Sequence, residues 1–221
     1  MIKKKVDKKT NLPKKILVTA GPTVEPLDPV RYISNYSTGT MGYKIASQGV
    51  KKGFKICLVS GPVHLPPPHG AEMIIVTRAR EMRDRVIERI DEYDCLIMTA
   101  AVCDFRPQEE GKRKIKKKNT LNLKLVKNPD ILMEVRQNKD LIKIGFALET
   151  ENAVKNGKKK LEEKKLDLIV VNTVTEQKNP FGTGVSDYTT IDKSGKTKDF
   201  KAITKGQMAE VIIDEAEKLM S

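Results

Sequence analysis

The chain has no tryptophan, and aromatic residues make up 5% of its 221 positions. Bases are gripped on aromatic faces interleaved with basic groups, so this scarcity argues against a single-strand nucleic-acid platform. The two histidines, His64 and His69, share the Pro-rich loop GPVHLPPPHG without acidic or Cys neighbours. That loop reads as a rigid turn rather than a metal site. Three cysteines, Cys57, Cys95 and Cys103, are odd in number and have no metal-ligand spacing; they read as reduced thiols of a cytoplasmic protein. No apolar run approaches the ~20 residues of a membrane span. The basic stretch MIKKKVDKKTNLPKK lacks the apolar centre of a signal peptide. Neither G-x-x-x-x-G-K-[ST] nor a G-x-G-x-x-G after a strand is present. No Ser-His-Asp or Cys-His pairing stands out, nor a carboxylate pair suited to hydrolysis.

Charge is abundant instead. Lys and Arg number 42 against 29 Asp and Glu, a net charge of +13, and Lys112 to Lys118 reads KRKIKKK. Polyanionic small-molecule substrates account for such a surplus. A basic RNA-binding module is the alternative, recognisable by a steep salt dependence of RNA affinity.

Apolar runs at Ile16–Ala20, Phe54–Ser60, Met73–Val76, Cys95–Ala100, Leu141–Phe146 and Leu166–Asn172 alternate with helical patterns at 42–52, 79–93 and 151–165. That alternation predicts an α/β fold: a Rossmann-like, mostly parallel sheet with helices on both faces. Residues 1–14 read as a flexible basic arm or linker remnant, and 15–221 as one domain. Within it, about 106–120 reads as a Gly-hinged basic lid able to close on phosphates, anchored by Leu121, Leu123 and Leu125, which alternate like a strand. A β-hairpin is expected at about 186–202, where a free edge invites a partner, and a closing amphipathic helix at 204–220.

The long connection from Gly21 to Gly42 joins a strand to a helix N-terminus, where backbone N–H groups and the helix dipole favour anions. It carries Arg31 and Asn35, which a bare phosphate cradle does not need. The strand from Cys95 delivers Ala100, Ala101 and Asp104 to the carboxyl edge of the sheet, where open α/β sheets bind ligands. Asn128-Pro129-Asp130 opens a helix, Lys160 and Lys164 share a helix face, and Asn172 ends the last parallel strand. Ser60-Gly61-Pro62 offers no acid for a ribose diol, which weighs against a second alternative, an NAD(P)-dependent oxidoreductase. An anion loop, several lysines, an amide and an acceptor suit nucleotidyl transfer to a carboxylate.

AGPTVEPLDPVRYISNYSTGTMG resembles the opening motif of bacterial and archaeal phosphopantothenoylcysteine synthetases, often the C-terminal half of a bifunctional coenzyme A biosynthesis protein. AAVCDF, KIKK, VKNPDIL, GFALET and LDLIVVN extend the likeness over nearly everything after Lys14. The resemblance implies a ligase that joins 4′-phosphopantothenate and cysteine through an acyl-cytidylate, using CTP (ATP in eukaryotic relatives) with Mg²⁺ or Mn²⁺ on ligands it does not specify. It implies catalytic roles for Asn35 and Lys114. Arg31, Asn35, Ala100, Ala101 and Asp104 would hold the acyl part, with Arg31 reaching the neighbouring subunit of a homodimer built on the hairpin. The nucleotide would lie against Gly21, Ser37, Gly39, Gly42, Asp104, Lys114, Val126, Lys127, Asn128, Pro129, Phe146, Lys160, Lys164 and Asn172. In one departure from the family's Ser-Ser-Gly-Lys-Met-Gly, Thr38 and Thr40 stand in and the lysine is missing. A flavin-dependent decarboxylase domain, fused or separate, is the partner that the resemblance implies.

Overall fold

A computed structural model describes residues 12–117, 119–173 and 184–221. The basic arm over 1–11 and most of the NPFGTG stretch fall outside the described residues. In chain order the elements are β1 (Lys15–Ala20), β2 (Val24–Pro26), β3 (Tyr32–Ser34), α1 (Thr40–Lys51), β4 (Lys55–Ser60), β5 (Glu72–Ile75) and α2 (Ala79–Arg89). Then follow β6 (Cys95–Met98), β7 (Phe105–Pro107), β8 (Leu125–Lys127), α3 (Ile131–Val135), β9 (Ile142–Glu149) and α4 (Ala153–Glu163). The chain closes with β10 (Leu168–Thr173), β11 (Ser186–Asp192), β12 (Thr197–Ile203) and α5 (Lys205–Leu219).

Strands buried on both faces need apolar residues throughout, and β1, β4, β6 and β10 are such runs. They lie in an eight-stranded sheet of order β12-β11-β10-β9-β6-β1-β4-β5. The six strands from β10 to β5 are parallel. Tyr43, Ile45 and Ala46 of α1 and Met208, Ala209, Ile212 and Ile213 of α5 cover one face. Met82 and Val86 of α2, Ile131 and Leu132 of α3 and Leu161 of α4 cover the other. The expected doubly covered α/β sheet is what forms.

Several local expectations need correction. The long connection after β1 is not plain loop: β2 and β3 pair as a short antiparallel ribbon, Val24 opposite Ser34. Helix α1 starts at Thr40, two residues before the expected Gly42, because Gly39 takes φ 74° as its N-cap. The helix from Ala79 gives way at Ile90 to a single 3₁₀ turn. Strand β6 stops at Met98, leaving Ala100 and Ala101 beyond its end. Leu121 and Leu123 lie outside any strand; only Leu125 enters one, where β8 pairs antiparallel with β7. The C-terminal hairpin does form, but as part of the main sheet, with β11 antiparallel to β10. Its outer strand β12 is the sheet edge. Among the described residues, the large apolar side chains left exposed include Val30, Tyr32, Tyr36 and Ile75, none of them on the hairpin.

Gly42 fixes how closely α1 lies on the sheet. A Cβ there would stand 2.5 Å from Ala20 Cβ and 2.6 Å from Thr99 Oγ1. Gly42→Ala therefore has to lift the helix, and overpacking of this kind costs about 1–3 kcal/mol. A lowered denaturant midpoint together with weakened ligand binding is expected; an unchanged midpoint would show that the helix has slack.

Candidate active site

Strand order reverses between β1 and β6: from β1 the chain moves outward through β4 and β5, then returns to lay down β6, β9 and β10. Ligands bind at the carboxyl edge of such a switch point. Here a cleft of about 630 Å³ opens at that edge. Asn35, Ser37, Gly39, Gly42, Ala100, Ala101, Asp104, Asn128, Pro129, Phe146, Lys160, Lys164 and Asn172 all line it, as expected from the sequence.

The rear wall is zipped by hydrogen bonds between the chain ends leaving β1 and β6. Thr99 Oγ1 donates to the Thr19 carbonyl at 2.7 Å and Ala101 N to the Gly21 carbonyl at 2.9 Å. Thr23 N donates back to the Ala101 carbonyl at 3.2 Å. Gly21 thus serves this wall and does not line the cleft. Asn35 reaches the same wall, its Nδ2 donating to the Ala101 carbonyl at 2.8 Å and to Cys103 Sγ at 3.7 Å. On one side the α1 N-terminus opens into the cleft, and its Gly39 N-cap supplies no side-chain bond to the first-turn N–H groups. Those donors and the helix dipole favour negative charge at this end of the cleft.

Two lysines stand on the other side, each already paired. Lys160 Nζ lies 2.6 Å from Glu149 Oε1, and Lys164 Nζ lies 2.8 Å from Asp130 Oδ2. Burial on its own raises the Glu149 carboxyl, but the Lys160 ammonium and the Asn156 amide outweigh it and the net shift is downward. Asp130 also caps α3, accepting from Met133 N at 3.3 Å. An anionic ligand that engages these lysines competes with Glu149 and Asp130 for them. Ser60, at the end of β4, donates to the Gly61 carbonyl at 2.8 Å and lies 3.2 Å from the Tyr43 hydroxyl. It offers nothing to a ribose diol.

Five expected residues do not line the cleft: Gly21, Arg31, Lys114, Val126 and Lys127. Val126 and Lys127 lie in the β7–β8 ribbon, and Arg106 donates to the Lys127 carbonyl. Lys114 is exposed. The basic loop that carries it is fastened to the β2–β3 connection. Asp28, 3% exposed, accepts from Val30 N, Arg31 N, the Arg31 guanidinium and, at 2.9 Å, Ile115 N. Arg31 Nη2 completes the latch by donating to the Ile115 carbonyl at 2.8 Å. The Ile115 N–H and the Arg31 guanidinium hold the Asp28 carboxyl far below the usual carboxylate range. Gly111 N adds a bond to the Leu27 carbonyl at 2.9 Å. Thus the lid, expected to be free, is pinned in this chain's own structure, and Arg31 is engaged within its own subunit.

Tyr188 and Lys205 also line the cleft, and neither was anticipated. They arrive through the antiparallel pairing of β11 with β10, which sets Tyr188 opposite Asn172. Cys57, Cys95 and Cys103 are all free and buried; burial pushes each thiol pKa upward, so none is poised as a nucleophile.

The family model for the DNA/pantothenate metabolism flavoprotein C-terminal domain matches residues 12–220. The chain belongs to this family. It is 40% identical over 205 residues to the coenzyme A biosynthesis bifunctional protein CoaBC of Bacillus subtilis, covering 91% of this chain and 50% of that protein. A cysteine/cysteine sulfinic acid decarboxylase of an unknown prokaryotic organism is 39% identical over 215 residues, covering 96% of this chain and 60% of that one. The chain thus spans about half the length of the curated relatives it matches. Among solved structures, the C-terminal domain of CoaBC superposes with a TM-score of 0.81 at 35% identity, covering 94% of this chain and 95% of that one. Family membership and fold agree with the architecture expected from the sequence. No helix among the described residues is long and apolar enough to cross a membrane.

Proposed function

We propose that this chain is a phosphopantothenate–cysteine ligase of coenzyme A biosynthesis, working through an acyl-nucleotidylate made from CTP. One observation carries the reading: a single cleft at the sheet's switch point gathers the Asn35 amide, the open N-terminus of α1, and Lys160 and Lys164. Membership of the pantothenate flavoprotein C-terminal family and likeness to CoaBC support it. The phosphopantothenate carboxylate attacks the α-phosphorus of CTP, and pyrophosphate leaves. Charge accumulates on phosphoryl oxygens, which lysines and helix N–H groups stabilise without acid-base residues. Cysteine's amine then attacks the mixed anhydride, CMP leaves, and the Asn35 amide donates to the transient oxyanion.

Among the described residues no group of three or more His, Cys, Asp or Glu could hold a metal. A Mg²⁺ or Mn²⁺ ion would be carried in on the nucleotide's phosphate oxygens, where it would supply charge neutralisation. The same reading takes the protein as a cytoplasmic homodimer served by a flavin-dependent decarboxylase domain, fused or separate. Exposed apolar side chains at Tyr32, Tyr36 and Ile75, and at Val185 beside the hairpin, are candidates for that dimer's contact.

The test is pyrophosphate release, with mass detection of phosphopantothenoylcysteine, for phosphopantothenate and cysteine with each nucleoside triphosphate in turn. CTP should give the fastest turnover. Faster turnover with ATP or UTP would overturn the nucleotide assignment, and no product with any nucleotide would overturn the ligase. Lys114→Gln should slow single-turnover pyrophosphate release by ~10²–10³, the usual weight of one electrostatic contact in the transition state. Because Lys114 is exposed in the free protein, the folding midpoint should stay put. An unchanged single-turnover rate would make it a solvated surface lysine.

A further inference from the structure

Tyr188 is the anomaly of the cleft. It is 3% exposed and lines the site, yet among the described residues its hydroxyl, shut from solvent, has no hydrogen-bond partner. Buried polar groups are paired in folded proteins, and one left unpaired costs its full desolvation, so an orphan of this kind calls for an explanation. Burial pushes the phenol pKa upward, tempered by the nearby Ser186 side chain, so at neutral pH the group is a hydrogen-bond donor. Lys205, the first residue of α5, lines the same cleft. Its pKa is drawn down by burial, the shift expected of an ammonium held partly out of water.

The placement of this pair is informative. Tyr188 packs into the core on the α1/α5 face of the sheet, as does Phe146. Lys160 and Lys164 approach from α4, which covers the opposite face. Without Lys205, the α1/α5 side of the cleft would have the α1 N-terminus as its anion-binding feature. With it, ammonium groups border the strand ends from both faces.

We infer that Tyr188 and Lys205 form a phosphate subsite on the α1/α5 side of the cleft. In it the phenol donates to a ligand phosphate oxygen and the ammonium neutralises the same group. The subsite rests on the ligase reading for its ligand, which is either the triphosphate of the nucleotide or the phosphate of phosphopantothenate. Opening it requires a wall side chain to swing aside, and Lys205, on a flexible four-carbon stem, is the adaptable one.

The experiment uses the full chain, Tyr188→Phe, and separately Lys205→Gln. CTP with Mg²⁺, inorganic triphosphate and phosphopantothenate are each titrated by calorimetry, and folding is followed without ligand. Tyr188→Phe removes a hydroxyl that has no hydrogen-bond partner among the described residues, so stability without ligand should hold or rise, whereas an internal structural bond would make it fall. Affinity for one phosphate ligand should drop roughly tenfold or more in each variant, the usual range for a hydrogen bond to a charged group. Loss confined to CTP and inorganic triphosphate assigns the subsite to the nucleotide, and loss confined to phosphopantothenate assigns it to the acid. Wild-type affinities in both variants for all three ligands would overturn the subsite while leaving the ligase intact. If the wild type binds these ligands but forms no phosphopantothenoylcysteine, the ligase reading falls and the variants still decide the subsite. A wild type that binds none of the three overturns both.

Discussion

Asn35→Asp should uncouple the two halves of the reaction. In the structure one amide N–H of Asn35 is committed to the Ala101 carbonyl at 2.8 Å. The other is spent on the weaker Cys103 sulfur at 3.7 Å, and can be surrendered to an oxyanion without leaving a strong bond unmade. An aspartate of the same size has no donor and sets a negative charge beside the atom that becomes negative. Amide formation should slow by ~10²–10³, as when an oxyanion donor is removed. Pyrophosphate release should fall much less, since the α-phosphorus is served by lysines and helix N–H groups. Phosphopantothenoyl-nucleotidylate should therefore accumulate on the variant with cysteine present, visible by quenched-flow mass spectrometry. Pyrophosphate release falling in step with product, with no intermediate, would return Asn35 to the first step or to holding the wall.

Asp28→Asn should release the basic loop. The carboxylate accepts from the Ile115 and Arg31 main chains and from the Arg31 guanidinium at once, and it is an acceptor at every lone pair. An asparagine turns one of those acceptors into a donor facing a donor. Tryptic cleavage within the Lys112–Lys117 stretch should accelerate by at least about tenfold, because cleavage follows the population of the opened state. Circular dichroism should be preserved, since the sheet does not depend on the latch. Unchanged cleavage kinetics would show that the Gly111–Leu27 and Arg31–Ile115 bonds hold the loop without the carboxylate. The pH sign follows from a folded-state pKa that lies below the unfolded one. The stabilisation is fully present above the unfolded carboxyl value near ~4 and is lost only as pH falls towards the much lower folded value. Protonation of Asp28 is thus not expected to release the latch across neutral and mildly acid conditions.

What could be read in advance follows the physics of each element. The parallel strands announced themselves as apolar runs separated by helical periodicity, and the ligand edge followed from where those runs stop. Ala100, Asp104, Lys160 and Asn172 could be placed at the cleft because strand ends and helix faces are local properties, whereas Asn35, in the long insert, was placed by the family resemblance. The β2–β3 and β7–β8 ribbons were hidden, since strands of three residues carry no periodicity. β7 and β8 also pair across a long intervening loop, Phe105 with Lys127. The latch was hidden for the same reason: Asp28 and Ile115 meet only after folding. Tyr188 and Lys205 belong to a reversal of strand direction. A sequence shows the hairpin but not that β11 lies against β10 and carries its first residues back to the cleft.

That reversal has a thermodynamic corollary. Strand β12 returns the chain to the ligand edge, so α5 begins at the cleft and then runs beneath the sheet against α1, whose own N-terminus opens into the same cleft. Met208 and Ile212 of α5 share one core with Tyr43 and Ile45 of α1. A ligand that engages both helix starts therefore clamps two segments far apart in sequence, and it does so at the end of a continuous apolar seam. Its binding energy is not confined to the cleft rim. At a hundred times its dissociation constant, a ligand adds about 2.7 kcal/mol to the folded state, and here that increment is shared by the helices that close the whole α1/α5 face. A ligand held by both helix starts would therefore be read out as global stability and not only as local protection of the cleft.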